Sequence, residues 1–288
     1  MNPGALLAWA AEHGRDLPWR RTRDPWAILV SEVMLQQTQV ARVEPRWRAF
    51  LDRFPDVATC ASAPLAEVLR EWQGLGYPRR ARNLHAIATA VTAEHGGRFP
   101  DDLDALLALP GIGPYTARAV LAFAFERDVA VVDTNVGRIL ARQRGSRLTP
   151  KQAQSAADDL VPAGEGWAWN QAVLDLGAMV CGKRRAECDR CPVRSTCSWR
   201  GGPGPDPAVG SAAVSGRQAA FEGSDRQARG RLLAALAAGP VGAADLAAVM
   251  DRPAEVAQAL ADALVAEGLA ERSGGAYRLP GDVSDDGR

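Results

Sequence analysis

The chain lacks the long apolar run and the leader-like start that would direct it into a membrane or out of the cell. No stretch of its 288 residues is apolar over the roughly 20 positions that a membrane-spanning helix needs. The opening residues, MNPGALLAWA, contain neither the basic segment nor the cleavage signal of a secretory leader. The 34 basic and 34 acidic residues balance, so the net charge does not indicate a partner. We therefore expect a cytoplasmic protein without a membrane segment.

Cysteine is scarce, with five in the chain, and four of them lie within residues 181–197 in the spacing C-x6-C-x2-C-x5-C. Thiolates are the ligands of iron–sulfur clusters, and four complete a [4Fe–4S] cube. Zinc is the alternative, but structural zinc sites usually pair cysteines as two C-x2-4-C knuckles, and one close pair is present here. Disulfides would need an oxidising compartment, which the chain start does not favour. The predicted [4Fe–4S] ligands are Cys181, Cys188, Cys191 and Cys197.

Lysine is almost absent, because the basic residues are arginines except at Lys151 and Lys183. The basic residues form three local groups, and such groups suit a polyanion because phosphate contacts supply most sequence-independent affinity for DNA. A solvated surface is the alternative, and it is the simpler interpretation of any one group by itself. The groups are Arg15, Arg20, Arg21 and Arg23; Arg79, Arg80 and Arg82; and Lys183, Arg184, Arg185, Arg190 and Arg194.

Apolar residues at helical spacing predict an all-α fold over residues 1–200. The predicted helices lie within 26–54, where Pro45 indicates a break, and at 65–76, 80–97, 103–109, 115–125, 134–144, 150–160 and 167–180. Gly, Pro and Ser are frequent in 201–216 and predict a linker over 201–222. Residues 223–280 indicate three helices, the first capped by Ser224, followed by a hairpin at Ser273–Gly275. That order is typical of a winged-helix domain, with a generic helical cap as the alternative, and the acidic tail 281–288 is expected to be disordered.

The segment LPGIGPYTARAV, residues 109–120, joins two predicted helices through Gly111-Ile112-Gly113. Glycines permit a tight turn with positive φ and close approach of another backbone. The following helix would direct its free N–H groups and its dipole toward whatever lies over the turn, and phosphate suits that position. A helix-hairpin-helix of this kind binds the DNA backbone without reading sequence. The glycine pattern alone is weak evidence, and it gains weight from the cysteine cluster.

Two acidic residues stand in apolar surroundings. Glu32 interrupts AILVSEVMLQQ, and Asp133 ends the run VAVV just before a predicted helix. The simpler interpretations are that Glu32 lies on the exposed face of its helix and that Asp133 is an N-cap. As a pair they have a chemical use: a buried carboxyl can donate a proton near neutral pH, and a carboxylate at a helix start can stabilise positive charge. One acid and one carboxylate flanking a glycosidic bond can cleave it through an oxocarbenium-like transition state.

These segments together resemble the helix-hairpin-helix DNA glycosylases with an iron–sulfur loop, and among them the MutY-type adenine DNA glycosylases. The matching segments span nearly all of residues 1–200: RDLPWR (15–20), SEVMLQQTQV (31–40), GLGYPRRARNLH (74–85), LPGIGPYTA (109–117), VVDTNVGRILAR (131–142) and WNQAVLDLGAMVC (169–181). The resemblance implies two subdomains, one bearing the cluster (1–22 and 126–200) and one helical subdomain containing the hairpin (23–125). It also implies a monomeric, nucleoid-associated enzyme of base excision repair. Its substrate would be adenine paired with 8-oxoguanine or guanine in double-stranded DNA.

The resemblance also implies roles for individual residues. Glu32 would protonate an adenine flipped out of the duplex, and Asp133 would stabilise the sugar cation or a covalent sugar intermediate, supported by Asn135 with Tyr115 beside it. The residues implied for substrate binding are Arg15, Trp19, Arg20 and Leu35 in the base pocket, Asp175 as an adenine contact, and Gln37, Thr38, Leu75 and Tyr77 as wedge residues at the oxidised guanine. Those implied for the DNA backbone are Gly111, Gly113, Lys183 and Arg184.

The chain departs from related patterns at several positions. Endonuclease III, a similar protein, has a catalytic lysine after the hairpin, where Tyr115 stands here, and lacks an acid at the Glu32 position, so we expect base removal without efficient strand cleavage. Asp133-Thr134-Asn135 replaces the usual D-G-N, and Asp175 stands where relatives often have Glu. The usual C-terminal domain, which resembles a nucleotide hydrolase, is replaced by about seventy residues. Two alternatives stay open: an endonuclease III-like or mismatch thymine glycosylase, and a non-enzymatic iron–sulfur regulator that binds DNA through a winged helix.

Overall fold

Helices make up most of the protein over residues 1–211 and 220–282, the part of the chain that the computed structural model describes. The helices before the cysteine loop are α1 (Pro3–His13), α2 (Pro25–Leu35), α3 (Val40–Arg53), α4 (Val57–Ser62), α5 (Leu65–Glu71), α6 (Arg79–His95), α7 (Leu103–Ala108), α8 (Pro114–Phe123), α9 (Thr134–Arg144), α10 (Pro150–Asp158) and α11 (Gly166–Met179). The predicted all-α class is therefore confirmed. Among the described residues, no helix is both long enough and apolar enough to cross a membrane.

Most predicted helix ends agree with the structure because they follow local capping signals. Asp102 accepts a bond from the backbone N–H of Ala105 at the start of α7, and Gly96 ends α6 with a φ of 59°. The predicted break at Pro45 is wrong. Pro45 lies in the second turn of α3, and the chain breaks earlier, at residues 36–39, where Gln37 has a φ of 57°. Proline near a helix start removes one intrahelical bond and does not stop the helix.

Two compact units contain the described residues. The first comprises residues 1–29, 101–108 and 112–211, and the second comprises residues 30–100, 109–111 and 220–282. The boundaries differ from the expected subdomains, because α7 and α8 belong to the cysteine-bearing first unit. Ala119, Ala122 and Phe123 of α8 explain the difference, since they pack with Val131 and Ile28 of the first unit in one buried cluster.

The core of the first unit lies between α1, α9, α10 and α11. Leu6 of α1, Leu140 of α9, and Trp169 and Leu176 of α11 are all at most 3 % exposed there. The segment DVAVVD contributes Ala130 to this core without forming a strand. Burial of these side chains holds the start of α9, and with it Asp133, against the helix that leads into the cysteine loop.

The C-terminal part of the second unit has the predicted order of elements. Its helices are α12 (Asp225–Ala238), α13 (Leu246–Met250) and α14 (Ala254–Ala266), and its strands β1 (Val241–Gly242), β2 (Glu271–Ser273) and β3 (Ala276–Arg278) form an antiparallel sheet in the order β1-β3-β2. Ser224 caps α12 through the N–H of Gln227. We call residues 220–282 the C-terminal domain; this arrangement is that of a winged helix.

The predicted linker is only partly within the described residues. Residues 201–211 belong to the first unit, where Asp206 accepts bonds from Arg142 and the Ser211 hydroxyl accepts from the N–H of Leu148. Residues 212–219 of the linker and 283–288 of the predicted disordered tail lie outside the described part of the chain.

Candidate active site and cysteine loop

Asp133 is the N-cap of α9, and both of its carboxylate oxygens accept hydrogen bonds. Its Oδ1 accepts from the backbone N–H groups of Asn135 and Val136, both at 2.8 Å, and its Oδ2 accepts from the Asn135 side-chain amide at 2.9 Å. Burial raises the pKa of Asp133, and these three donors together with Arg138 oppose that rise. The carboxylate is therefore oriented by fixed donors while its solvation is reduced.

A chain of hydrogen bonds leads from Asp133 to the cysteine loop. The Asn135 Oδ1 accepts from Arg138 Nη2 at 2.8 Å, and the same nitrogen donates to the Gly177 carbonyl at 2.7 Å. Arg138 Nε donates to the carbonyl of Cys181 at 2.7 Å. Gly177 permits this packing, since a Cβ there would lie 2.6 Å from Asn135 Cβ. Arg138 thus joins the support of Asp133 to the first cysteine, a role that the sequence did not indicate.

The four loop cysteines line one cavity of about 380 Å³, part of which is open to solvent. Arg142, which is 3 % exposed, donates from Nη1 to Cys181 Sγ at 3.2 Å and is held by Asp206 at 2.6 Å. The backbone N–H of Arg200 donates to Cys197 Sγ at 3.5 Å. Within residues 1–211 and 220–282, no three Cys, His, Asp or Glu side chains are placed to hold a single metal ion. These hydrogen-bond donors suit cysteine sulfur atoms that carry negative charge.

Arg15 and Arg20, both half-buried, surround the buried carboxylate of Asp175 in the first unit. Asp175 is 1 % exposed, and its carboxylate accepts from Arg15 Nε at 2.6 Å and from Arg20 Nη1 and Nη2 at 2.7 and 2.8 Å. Burial raises the pKa of Asp175, but the bonds from Arg20 and Arg15 outweigh burial and lower the pKa overall. Both oxygens are engaged by arginines, so the structure does not support the implied adenine contact of Asp175. Trp19, in the same segment, is buried.

The hairpin between α7 and α8 needs glycine at one of its two glycine positions. Gly111 has a φ of 77°, and a Cβ there would lie 2.7 Å from the side-chain nitrogen of Asn83. Gly113 is the N-cap of α8 with an ordinary φ of −98°, and no described atom lies within 4 Å of a Cβ built there. Tyr115, in the first turn of α8, is half-buried against the Ala119 and Phe123 cluster.

Glu32 lies on α2 in the second unit and is 6 % exposed, so its side chain is not on the exposed helix face. Leu35, the last residue of α2, is half-buried.

Arg80 connects the two loops that carry the implied wedge residues Gln37, Thr38, Leu75 and Tyr77. Its Nη1 donates to the carbonyls of Val33, Met34 and Gln36, at 2.7–2.9 Å, and its Nη2 donates to the carbonyls of Leu75 and Gly76, both at 2.9 Å, and to Thr38 Oγ1 at 3.2 Å. Arg80 is 8 % exposed, and burial lowers its pKa to about 10. It remains a cation at neutral pH.

The basic residues that are grouped in the sequence therefore differ in the structure: some bind protein partners and others are exposed. Arg80 is occupied by carbonyls, and Arg79 and Arg82 both bond Glu267 of the C-terminal domain, through its carboxylate and its carbonyl respectively. The structure does not support a phosphate contact by Arg80. Lys183 and Arg184 in the cysteine loop are exposed, as a phosphate contact requires.

Comparisons with known proteins identify the family of the chain. Residues 30–163 match the family model described as "HhH-GPD superfamily base excision DNA repair protein". The chain is 43% identical to an adenine DNA glycosylase of Mycolicibacterium smegmatis over 98% of this chain and 97% of that protein, and 43% identical to one of Mycobacterium tuberculosis over 96% and 93%. The solved structure of a thermostable thymine-DNA glycosylase is similar with a TM-score of 0.66 and 31% identity, covering 69% of this chain and 94% of that one. The likeness to the mycobacterial proteins extends beyond residues 1–200 into the C-terminal domain.

Proposed function

Because this chain belongs to the adenine DNA glycosylases of the HhH-GPD superfamily, enzymes of base excision repair, we propose that its substrate is adenine paired with 8-oxoguanine or guanine in double-stranded DNA. The observation that carries the enzyme class is the 43% identity over 98% of the chain. The same observation argues against a non-enzymatic regulator. The choice of opposite base rests on the resemblance of residues 1–200 to the MutY-type enzymes.

Adenine has to leave the base stack before its glycosidic bond can be reached. Glu32 is the proposed proton donor to the adenine ring, which turns the base into a better leaving group. Its burial supports this role, because reduced solvation favours the protonated carboxyl that a donor requires. An exposed glutamate would be ionised at neutral pH and would have no proton to give.

Asp133 is the proposed carboxylate that stabilises the positive charge developing on the sugar. Two backbone N–H groups and the Asn135 amide hold both of its oxygens, so the charge is preorganised and little reorientation is needed when the bond breaks. Water or Asp133 itself then attacks C1′ of the sugar, and hydrolysis leaves an abasic site and free adenine.

Tyr115 supports base removal without strand cleavage. A lysine at this position could attack C1′ and form a Schiff base, which leads to cleavage of the strand. A tyrosine hydroxyl cannot form a Schiff base, and the two lysines of this chain, Lys151 and Lys183, stand elsewhere in the sequence.

Cys181, Cys188, Cys191 and Cys197 would hold a [4Fe–4S] cluster. The common cavity and the N–H donors to Cys181 and Cys197 suit a group held by thiolate ligands, and the cysteine spacing and the family resemblance favour the cluster over zinc. When bound, the cluster would supply a four-point cross-link of the loop. Lys183 and Arg184 lie between the first two cysteines and are proposed to contact phosphates, together with the N-terminus of α8 at Gly113.

The residues of the base pocket and of the wedge are likewise assigned from the family resemblance. Trp19, Leu35 and the paired Arg15 and Arg20 are proposed to line the pocket, with Asp175 fixing the two arginines. Gln37, Thr38 and Tyr77 are proposed to enter the duplex near the opposite base. Leu75, which is 3 % exposed, is proposed to support them from within, and the two loops share Arg80.

A single-turnover assay on three duplexes tests the proposal. Duplexes with A·8-oxoguanine, A·G and T·G pairs are incubated with excess enzyme, and each sample is divided into halves with and without alkali, which cleaves at abasic sites. We expect alkali-dependent cleavage at adenine in the first two duplexes, and loss of that cleavage in Glu32→Gln with retained binding. Cleavage of the T·G duplex alone would support the thymine glycosylase alternative, and cleavage without alkali would contradict the role given to Tyr115.

A further inference from the structure

The side chain of Tyr77 lies beside two guanidinium groups that come from different parts of the second unit. Arg80 of α6 has its Cζ 5.5 Å from the centre of the Tyr77 ring. Arg226 of α12, in the C-terminal domain, has its Cζ 6.0 Å from the same ring and donates from Nη1 to the Tyr77 hydroxyl at 3.3 Å. Tyr77 itself has a φ of 50°, an uncommon backbone conformation for a residue with a side chain. The position of Tyr77 is thus set both by the turn that carries it and by its contact with the C-terminal domain.

Further contacts attach the C-terminal domain on both sides of the turn that carries Tyr77. On the α5 side, Arg70 forms a two-bond ion pair with Asp282 at 2.7 Å, and the N–H of Ala66 donates to the Pro280 carbonyl at 2.9 Å. On the α6 side, Glu267 accepts from Arg79 at 2.8 Å. Arg79 and Arg229 lower the pKa of Glu267 to about 2, so this anchor stays charged at neutral pH.

The charges of the C-terminal domain do not favour the usual use of a winged helix. The third helix of such a domain commonly enters the major groove, where basic side chains bind phosphate. Here that helix is α14, with the sequence AEVAQALADALVA, which contains no Lys or Arg and includes the acids Glu255 and Asp262. Arg226 of the domain contacts the Tyr77 turn instead, and Arg229 pairs with Glu267 of the same domain.

We propose that the C-terminal domain is a positioning element for the base-opening step, and that Arg226 is the residue that acts, by holding Tyr77 in the orientation in which it enters the duplex. This inference rests on the wedge role of Tyr77 given under the proposed function. A wedge has to overcome base stacking, and separating one base step costs a few kcal/mol. A wedge side chain that can rotate away from the duplex opens the base step less effectively than one that is held in place. A hydrogen bond and a cation–π contact to the same ring restrict that rotation.

The test measures base opening separately from bond cleavage in the full-length protein. Opening is followed by stopped-flow fluorescence of 2-aminopurine placed next to the adenine of an A·8-oxoguanine duplex, and cleavage by single-turnover release of adenine. Arg226→Met should slow opening by about five- to fiftyfold, the range expected for loss of the hydrogen bond and the cation–π contact to Tyr77. Release of adenine placed opposite an abasic-site analogue, where no paired base resists opening, should be unchanged. Arg226→Lys, which keeps the cation, should recover most of the opening rate.

Two further variants make the result specific. Arg231→Met is the matched control, because Arg231 is on the same helix and pairs with Asp251, away from Tyr77. Tyr77→Phe removes the acceptor hydroxyl from the other side of the contact, so its effect and that of Arg226→Met should not add in the double variant. It also tests the contact independently should Arg226→Met lower the stability of the domain.

The outcomes separate this inference from the proposed function. If Tyr77→Ala slows opening but Arg226→Met and Tyr77→Phe both match Arg231→Met, the wedge role stands and the positioning role of Arg226 is overturned. If Tyr77→Ala opens the duplex at the wild-type rate, the wedge role fails and the inference fails with it. Equal losses on the paired and the unpaired substrate in Arg226→Met would also overturn it, since a general structural defect predicts that pattern.

Discussion

Replacement of Arg80 by methionine should lower the free energy of unfolding by about 3 kcal/mol and disorganise both wedge loops. The four Nη–H groups of the side chain contact six oxygens of residues 33–38 and 75–76, some of them through shared hydrogen bonds. At about 1.5 kcal/mol for each N–H of this charged donor, these bonds contribute about 6 kcal/mol. Burial of the cation opposes them, because a pKa lowered from 12.5 to about 10 corresponds to about 3 kcal/mol. The difference is the expected loss, and methionine fills much of the same volume without donors.

Urea unfolding followed by circular dichroism measures this loss, with Arg79→Met as the control. Arg79 is 63 % exposed at its side chain and forms an exposed ion pair, so its replacement should change the free energy of unfolding by less than about 1 kcal/mol. Arg80→Met should also release adenine from A·8-oxoguanine duplexes at least about tenfold more slowly, because the loops that carry Thr38 and Leu75 lose their common donor. A loss for Arg80→Met no larger than that for Arg79→Met would refute the reasoning.

Four further variants test the first unit. Asp133→Asn should stop base release. The folded pKa of Asp133 is raised, so its ionisation disfavours the folded state, and the free energy of unfolding of the wild type relative to that of the variant, measured by urea unfolding, should increase as the pH falls toward 4. Arg138→Met should reduce single-turnover release about tenfold or more while affinity for duplex DNA is kept, since Asn135 loses the donor that orients it; an equal loss of affinity would contradict this. Lys183→Ala and Arg184→Ala should each weaken DNA binding and reduce the slope of log affinity against log salt by about 1, and an unchanged slope would exclude a phosphate contact.

The features that the sequence predicted well depend on neighbouring residues. The start of α9 follows from Asp133 as an N-cap, and the end of α6 follows from Gly96, since both signals act within one helical turn. The two interpretations of Asp133 proved compatible, because the bonds that cap the helix also orient the carboxylate. The cysteine spacing predicted a shared site, and the four residues line one cavity.

The features that the sequence did not predict depend on partners far away in the chain. Arg80 could not be distinguished from Arg79 as a basic residue, because its carbonyl partners extend back to Val33 and their convergence is set by packing. Asp175 similarly binds Arg15, 160 residues away. The pattern of the basic group at 79–82 indicated DNA binding, whereas Arg79 and Arg82 bind Glu267 of a domain whose docking no local pattern indicates.

The contacts of residues 201–211 determine where the protein can be truncated. A boundary at residue 200, where the composition changes, would delete Asp206, and Arg142 would lose the carboxylate that fixes it next to Cys181. It would also delete Ser211, which bonds the Leu148 backbone. A shortened version that ends at residue 211 keeps both attachments, and we expect it to be purified with its loop intact where the version ending at 200 is not.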